Sequence, residues 1–197
     1  MSILARHFYN RPALAVARDL LGCRLVRVQD GQQMRGWITE TEAYQGEDDL
    51  GCHASAGKTP RTAVMYGPPG LAYVYFTYGM HWLLNAVTSP EGVPAAVLIR
   101  TIQPEAGLDL MTENRPYNAR KSGWTDGPAK LTQALAINGD LNKSDLCSQS
   151  GNLWIETGLS IPERQVSQTA RIGLNSVPEP WRSIPWRFVA GQGVLNG

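Results

Sequence analysis

The chain has 197 residues, 43% hydrophobic and 18% charged, with a formal net charge of +1. That length buries a core without disulfide or metal staples and fits one domain, residues 1–197, and no apolar run is long enough for a membrane helix. Three scattered cysteines, Cys23, Cys52 and Cys147, form neither a C-x-x-C pair nor a zinc spacing, so a disulfide scaffold is excluded and a reducing compartment is expected.

Near the start, Arg6, Arg11, Arg18 and Asp19 break every apolar run, which excludes a secretory signal. Asn10-Arg11-Pro12, then A-L-A-V-A-R-D-L-L and Gly22, predict a helix with Pro12 in its first turn and Gly22 as its stop. C-R-L-V-R-V, the turn residues Asp30-Gly31 and R-G-W-I-T-E-T-E-A-Y predict an antiparallel pair. In the second strand, alternation places Ile38, Glu40, Glu42 and Tyr44 on one face and Trp37, Thr39, Thr41 and Ala43 on the other. Two neighbouring carboxylates are costly to bury, because like charges in a low-dielectric site cannot both ionise cheaply. This strand is therefore either a solvated edge or a site of chemistry. Residues 45–70, dense in Gly, Pro, Asp, Thr and Ser, predict a long polar loop without core elements, and such loops commonly carry function.

L-A-Y-V-Y-F-T and W-L-L-N-A-V-T predict two further strands, joined by the short loop Tyr78-Gly79-Met80-His81. A large ring and a thioether at such a tip either fold back onto the core or protrude as a contact surface, for instance as a wedge between bases. A-A-V-L-I-R predicts a buried strand ending in Arg100, whose guanidinium needs an anion; Glu40 or Glu42 can supply it and would be held ionised by the arginine. D-G-P-A-K opens a helix with Pro128 in its first turn, and the Arg-, Trp- and Pro-rich end of the chain reads as loops with one or two short strands. Tyr44, His53 and Tyr75 can line one pocket, although aromatics at such positions also serve as plain core.

Together these segments resemble the alkyladenine (3-methyladenine) DNA glycosylase family of base-excision repair. The shared blocks run from R-P-A-L-A-V-A-R-D-L-L-G through G-W-I-T-E-T-E-A-Y-Q-G-E-D-D, H-A-S, K-T-P-R-T and M-Y-G-P-P-G. They continue through A-Y-V-Y-F-T-Y-G-M-H-W-L-L-N-A-V, A-V-L-I-R-T-I-Q-P-E-A-G, D-G-P-A-K-L-T-Q-A-L-A-I-N, A-R-I-G and W-R-F, covering most of the chain.

The resemblance implies a mixed α/β (α+β) fold, a single compact domain with a curved, largely antiparallel mixed sheet, flanking helices and a protruding β-hairpin. It makes Glu42 the general base and Arg100 the residue that helps hold the attacking water. Tyr44, His53 and Tyr75 would sandwich the extruded base, and Asn85 would discriminate among purines. Tyr78, with Met80 beside it, would fill the gap in the duplex; Lys130 at a helix start and Arg171 in A-R-I-G would meet phosphates. Glu40 receives no role beyond support.

The implied activity is monofunctional: an alkylated or deaminated purine (3-methyladenine, 7-methylguanine, hypoxanthine, ethenoadenine) is flipped from duplex DNA and its N-glycosidic bond is hydrolysed by a Glu-activated water. The partner is double-stranded DNA containing damaged purines; no metal, cofactor or membrane is implied. The protein would act as a monomer, cytoplasmic and nucleoid-associated in a bacterium or nuclear in a eukaryote, and not secreted. With Glu47, Asp48 and Asp49 just past the catalytic strand, modest, salt-sensitive DNA affinity is expected. Two rivals are a non-catalytic binder of modified bases, which intact Glu42 and Arg100 oppose, and a glycoside hydrolase using Glu40 and Glu42 as a pair. Side chains two apart on one strand do not flank a sugar from opposite sides, which opposes the second.

Overall fold

A computed structural model describes residues 1–116, 123–191 and 193. Among these residues eight strands form one open sheet: β1 (Arg24–Gln29), β2 (Gln32–Gln45), β3 (Ala72–Thr77), β4 (His81–Val87), β5 (Ala95–Ala106), β6 (Leu153–Glu156), β7 (Val166–Thr169) and β8 (Arg187–Ala190). The main order is β3-β4-β5-β2-β1-β6, with β8 joining β2 and β7 joining β8. Every pairing among the described strands is antiparallel, so the parallel component that a mixed sheet allows is not found among them. Among the described residues four short α-helices accompany the sheet: α1 (Arg6–Tyr9), α2 (Ala13–Asp19), α3 (Leu108–Asn114) and α4 (Pro128–Ala134).

Local chemistry accounts for the expected elements. At the β1–β2 turn Asp30 and Gly31 both take positive φ, 50° and 77°, the geometry that two-residue hairpins need to match strand twist. Pro12 caps α2, which buries Ala13, Val16 and Ala17 and ends at Asp19; Gly22, at φ 81°, starts the run into β1. Gly22 also lies against the Leu159 carbonyl, where an added Cβ would come within 2.3 Å, so the position excludes a side chain as well as requiring its φ.

Strand β2 organises the sheet by changing partners along its length. Its first half pairs with β1, its Glu40–Glu42 stretch pairs with β8, and β5 follows its other edge throughout. The β2–β5 register shifts between Ile38 and Glu40 and again between Glu40 and Thr41. Across this irregularity the expected four-residue face breaks: Ile38 joins the main core with Ala43, whereas Tyr44 packs in a second cluster. Bulges re-aim side chains in this way, and here the segment re-aimed is the one with both glutamates.

The main core lies between the sheet and α2 and α4, with Val16, Leu20, Val97, Ile99 and Leu131 fully buried. Residues 45–70 cover the opposite face. The expectation of a loop without core elements is corrected there: His53–Ala56 and Ala63–Tyr66 form 3₁₀ turns that bury Cys52, Ala54, Val64 and Met65 against Tyr73 and Ala96. Few apolar residues, spaced without a helical or strand period, suffice because the sheet supplies the other half of the cluster.

Candidate active site

Strand register alone builds the site. Tyr73 pairs with Asn85, Asn85 with Leu98, Leu98 with Glu42 and Glu42 with Arg187, giving one row across β3, β4, β5, β2 and β8. Directly paired residues share a face, so residues distant in sequence are brought side by side. An adjacent row sets Val87, Ala96 and Tyr44 together. These rows and the covering turns enclose a narrow pocket of about 40 Å³, lined by Tyr44, Gly51, Cys52, His53, Met65, Tyr73, Tyr75, Asn85 and Ala96. All four residues expected to contact the base, Tyr44, His53, Tyr75 and Asn85, are among them.

One wall is a packed aromatic set. His53 meets Tyr75 edge-on at 4.6 Å between ring centroids, and Tyr73 lies 5.2 Å from Tyr75. His53 Nδ1 and Tyr73 Oη are 2.9 Å apart and hydrogen-bonded. Burial, together with the nearby Arg61 charge, pushes the His53 pKa down to about 4, so the ring is neutral at physiological pH. Tyr44 is held separately, its ring 4.7 Å from the Arg171 guanidinium and its hydroxyl donating to Glu42 Oε2 at 2.8 Å. Asn85 donates to the Tyr73 carbonyl at 3.1 Å, which fixes its amide on the pocket floor.

Glu42 is fully buried beside this pocket. Its Oε1 accepts the Ile172 backbone N–H at 2.7 Å, and its Oε2 lies 3.3 Å from Arg100 Nη1. Burial raises the Glu42 pKa, and the opposing pull of Arg100, Ile172 and Tyr44 does not cancel it. The expectation that Arg100 holds this carboxyl low is thus reversed by desolvation. Glu40 behaves oppositely: burial raises it too, but hydrogen bonds from Thr101 and Arg187 and the charges of Arg100 and Arg187 outweigh that and leave it below the usual range. Both glutamates contact Arg100, Glu40 through Nε at 2.8 Å, so the arginine has two anionic partners where one was sought.

Tyr78 and Met80 lie at the tip of the β3–β4 hairpin, 82% and 66% exposed. The turn holds them out: Tyr78 and Gly79 both have positive φ and the Met80 N–H bonds to the Thr77 carbonyl. The alternative in which the tip folds back onto the core is not the one observed. Lys130, in the first turn of α4, is half-exposed and paired with Asp126 at 2.6 Å.

Arg171 is a correction. Its side chain is fully buried, bonded to both Asp49 oxygens at 2.6 and 2.8 Å, to the Ala43 carbonyl and to the Trp181 carbonyl. A guanidinium so enclosed cannot reach a phosphate; it holds Tyr44 and the Ile172 N–H in place. Asp49 is likewise no surface charge, so the acidic run past β2 repels DNA less than its sequence suggested.

Sequence reasoning missed Ile172, whose contribution is a backbone N–H, and Asp49, which is 122 residues from its partner. Tyr73 was within reach, because it shares strand alternation with Tyr75. Among the described residues no group of three or more His, Cys, Asp or Glu is placed to hold a metal ion.

An aromatic-lined pocket on the sheet with a buried carboxylate at its side, on a domain that also carries an exposed aromatic hairpin tip, fits the class of enzymes that act on a single base. The chain belongs to the methylpurine-DNA glycosylase family, whose model matches residues 7–193. It is 46% identical over 188 residues to a protein of Methanocella arvoryzae, covering 95% of this chain and 92% of that one. A Carboxydothermus hydrogenoformans protein is 46% identical over 186 residues, 94% of each chain, and a Salinibacter ruber protein 43% over 206 residues, 98% of this chain and 97% of that one. Each carries the name "Putative 3-methyladenine DNA glycosylase". The protein is accordingly a DNA glycosylase, a hydrolase of N-glycosidic bonds in DNA.

Proposed function

We propose that this protein excises alkylated and deaminated purines, 3-methyladenine, 7-methylguanine, hypoxanthine and ethenoadenine, from duplex DNA using a water activated by Glu42. The observation that carries this reading is the placement of one fully buried carboxylate, with Arg100 and the Ile172 N–H upon it, beside a pocket lined by Tyr44, His53, Tyr75 and Asn85.

In this reading Tyr78 fills the space left in the helix as the nucleotide rotates outward, and Met80 packs beside it. The extruded base lies between Tyr44 and the His53–Tyr75 wall, and such stacking is worth about 1–3 kcal/mol per base. Electron-poor and cationic purines gain further from the ring faces. Asn85, held from below, presents its side-chain amide to the purine edge. Lys130, beside the duplex, offers its charge to a phosphate.

Glu42 takes a proton from water as the water oxygen bonds to C1′ and the C1′–N bond breaks, its electron pair leaving with the base. The carboxylate also favours the positive charge that develops on the sugar. A 3- or 7-methylpurine leaves readily because it starts as a cation, whereas hypoxanthine needs a proton on the leaving base. No amine takes part, so the product is an abasic site in an unbroken strand. The reading has the protein act as a monomer in the compartment that holds the chromosome; no described helix is long and apolar enough to cross a membrane.

The test is base release from duplexes carrying each lesion, with Glu42→Gln alongside. The expected result is release of 3-methyladenine and hypoxanthine by the wild type and none by Glu42→Gln, which still binds lesion DNA. Release by Glu42→Gln at the wild-type rate would overturn the assignment.

A further inference from the structure

Glu40 sits at the register shift of β2 and gathers three donors: Arg100 Nε at 2.8 Å, Arg187 Nε at 2.5 Å and the Thr101 hydroxyl at 2.7 Å. We propose that Glu40 is a positioning residue for base excision, turning the Arg100 guanidinium so that a single N–H meets Glu42 and one acceptor site on that carboxylate is kept for the attacking water. The proposal rests on Glu42 being the base.

A carboxylate offers roughly four acceptor sites. On Glu42 two are taken by hydrogen bonds, from Ile172 on Oε1 and from Tyr44 on Oε2, and Arg100 Nη1 stands 3.3 Å from Oε2 as an ion pair. Guanidinium prefers to grip a carboxylate with two parallel N–H bonds, which here would consume the remaining sites and draw the full positive charge onto the base. Glu40 holds the Nε edge and so sets the direction in which the guanidinium points, and the Nη1 contact left to Glu42 is a long ion pair, 3.3 Å. Arg187 and Thr101 in turn keep Glu40 ionised and fixed.

Electrostatics act in the same direction. Burial raises the Glu42 pKa most, Arg100 lowers it and the Glu40 charge adds to the rise. The groups facing the two carboxylates are Arg100 from β5, Arg187 from β8, Tyr44 from β2, Tyr75 from β3, and the Arg171–Asp49 pair behind Tyr44. Asp126 lines the same shallow cavity as Glu40. Removing the Glu40 charge therefore leaves Arg100 free to turn onto Glu42 and makes Glu42 a weaker base.

Single-turnover base release across the pH range, on a hypoxanthine duplex, tests this. Glu40→Gln is expected to slow release severalfold at neutral pH without changing lesion-duplex affinity. The acid limb of its profile should move to lower pH by about one pH unit, the order expected for a charge at this range. Glu40→Asp, which keeps the charge, should recover most of that limb. Arg187→Gln is expected to move the limb the other way, because Glu40 is then less neutralised, and this variant carries the test if Glu40→Gln fails to fold. A slowed Glu40→Gln enzyme whose acid limb coincides with the wild type, or an Arg187→Gln limb that stays put, would leave Glu40 a packing residue and overturn the proposal. Release by Glu42→Gln at the wild-type rate would instead overturn the base assignment itself.

Discussion

The carboxylate cluster and the β3–β4 hairpin tip solve opposite problems with opposite physics. Around Glu42 the charges are buried or largely withdrawn from water and are matched: Glu40 with Arg100 and Arg187, Asp49 with Arg171, and Glu42 with Arg100, Tyr44 and a backbone N–H. At the tip, Tyr78 and Met80 are left in solvent with only a three-residue loop to hold them. The difference teaches where each function can tolerate change. On the proposed function, a wedge needs exposure and a stiff local turn, whereas a base of raised pKa needs desolvation, which only a surrounding tertiary structure provides.

The sharpest break in this comparison is Glu42→Gln, which should cost about 10²–10⁴-fold in single-turnover release while lesion binding persists. Next comes Asp49→Asn. Leaving Arg171 buried without its anion should destabilise the fold by about 3–5 kcal/mol in chemical denaturation, whereas Asp126→Asn at the half-exposed Lys130 pair should cost about 0–1 kcal/mol. Equal costs at the two sites would refute the contrast between buried and exposed charge. Tyr78→Ser should leave the melting temperature unchanged and weaken lesion-duplex binding by about 1–3 kcal/mol; lost stability with intact binding would make Tyr78 a packing residue.

The smallest effect is a pH slope. His53 has a folded pKa of about 4 against an ordinary 6.5, so below 6.5 the unfolded chain takes up a proton that the folded one refuses. Stability should therefore fall as pH drops from about 6.5 toward 4, and His53→Gln should flatten that part of the stability curve. For activity the sign is set by Glu42: because burial raises its pKa, release should decline on the acid side from a pH above the ordinary carboxyl value of 4.5. A decline that begins only below that value would mean Arg100 outweighs burial.

Much of this was legible in the chain. The Asp30-Gly31 turn, the short capped helix α2 and the alternating strands follow from backbone preferences confined to a few neighbours, and each forms where those preferences place it. Four aromatic and polar residues of the pocket were also legible, through the ordered blocks in which they occur. The acidic run misled, because Asp49 is neutralised by an arginine 122 residues away. Arg171 misled for the same reason, since a basic residue in an apolar stretch looks alike whether it faces a phosphate or a buried aspartate.

By itself, then, the sequence determined the strands β1 to β5, the tight turns, the family and four of the residues that meet at the pocket. Only the tertiary structure decided that Tyr73, Asn85, Leu98, Glu42 and Arg187 form one row, that Ile38 leaves the face of Glu40 and Glu42, and that one carboxylate is raised while its neighbour is lowered. The reason is range. Turn and strand preferences act over a few bonds, but desolvation and charge pairing depend on which distant strands lie alongside, and those set what each glutamate can do.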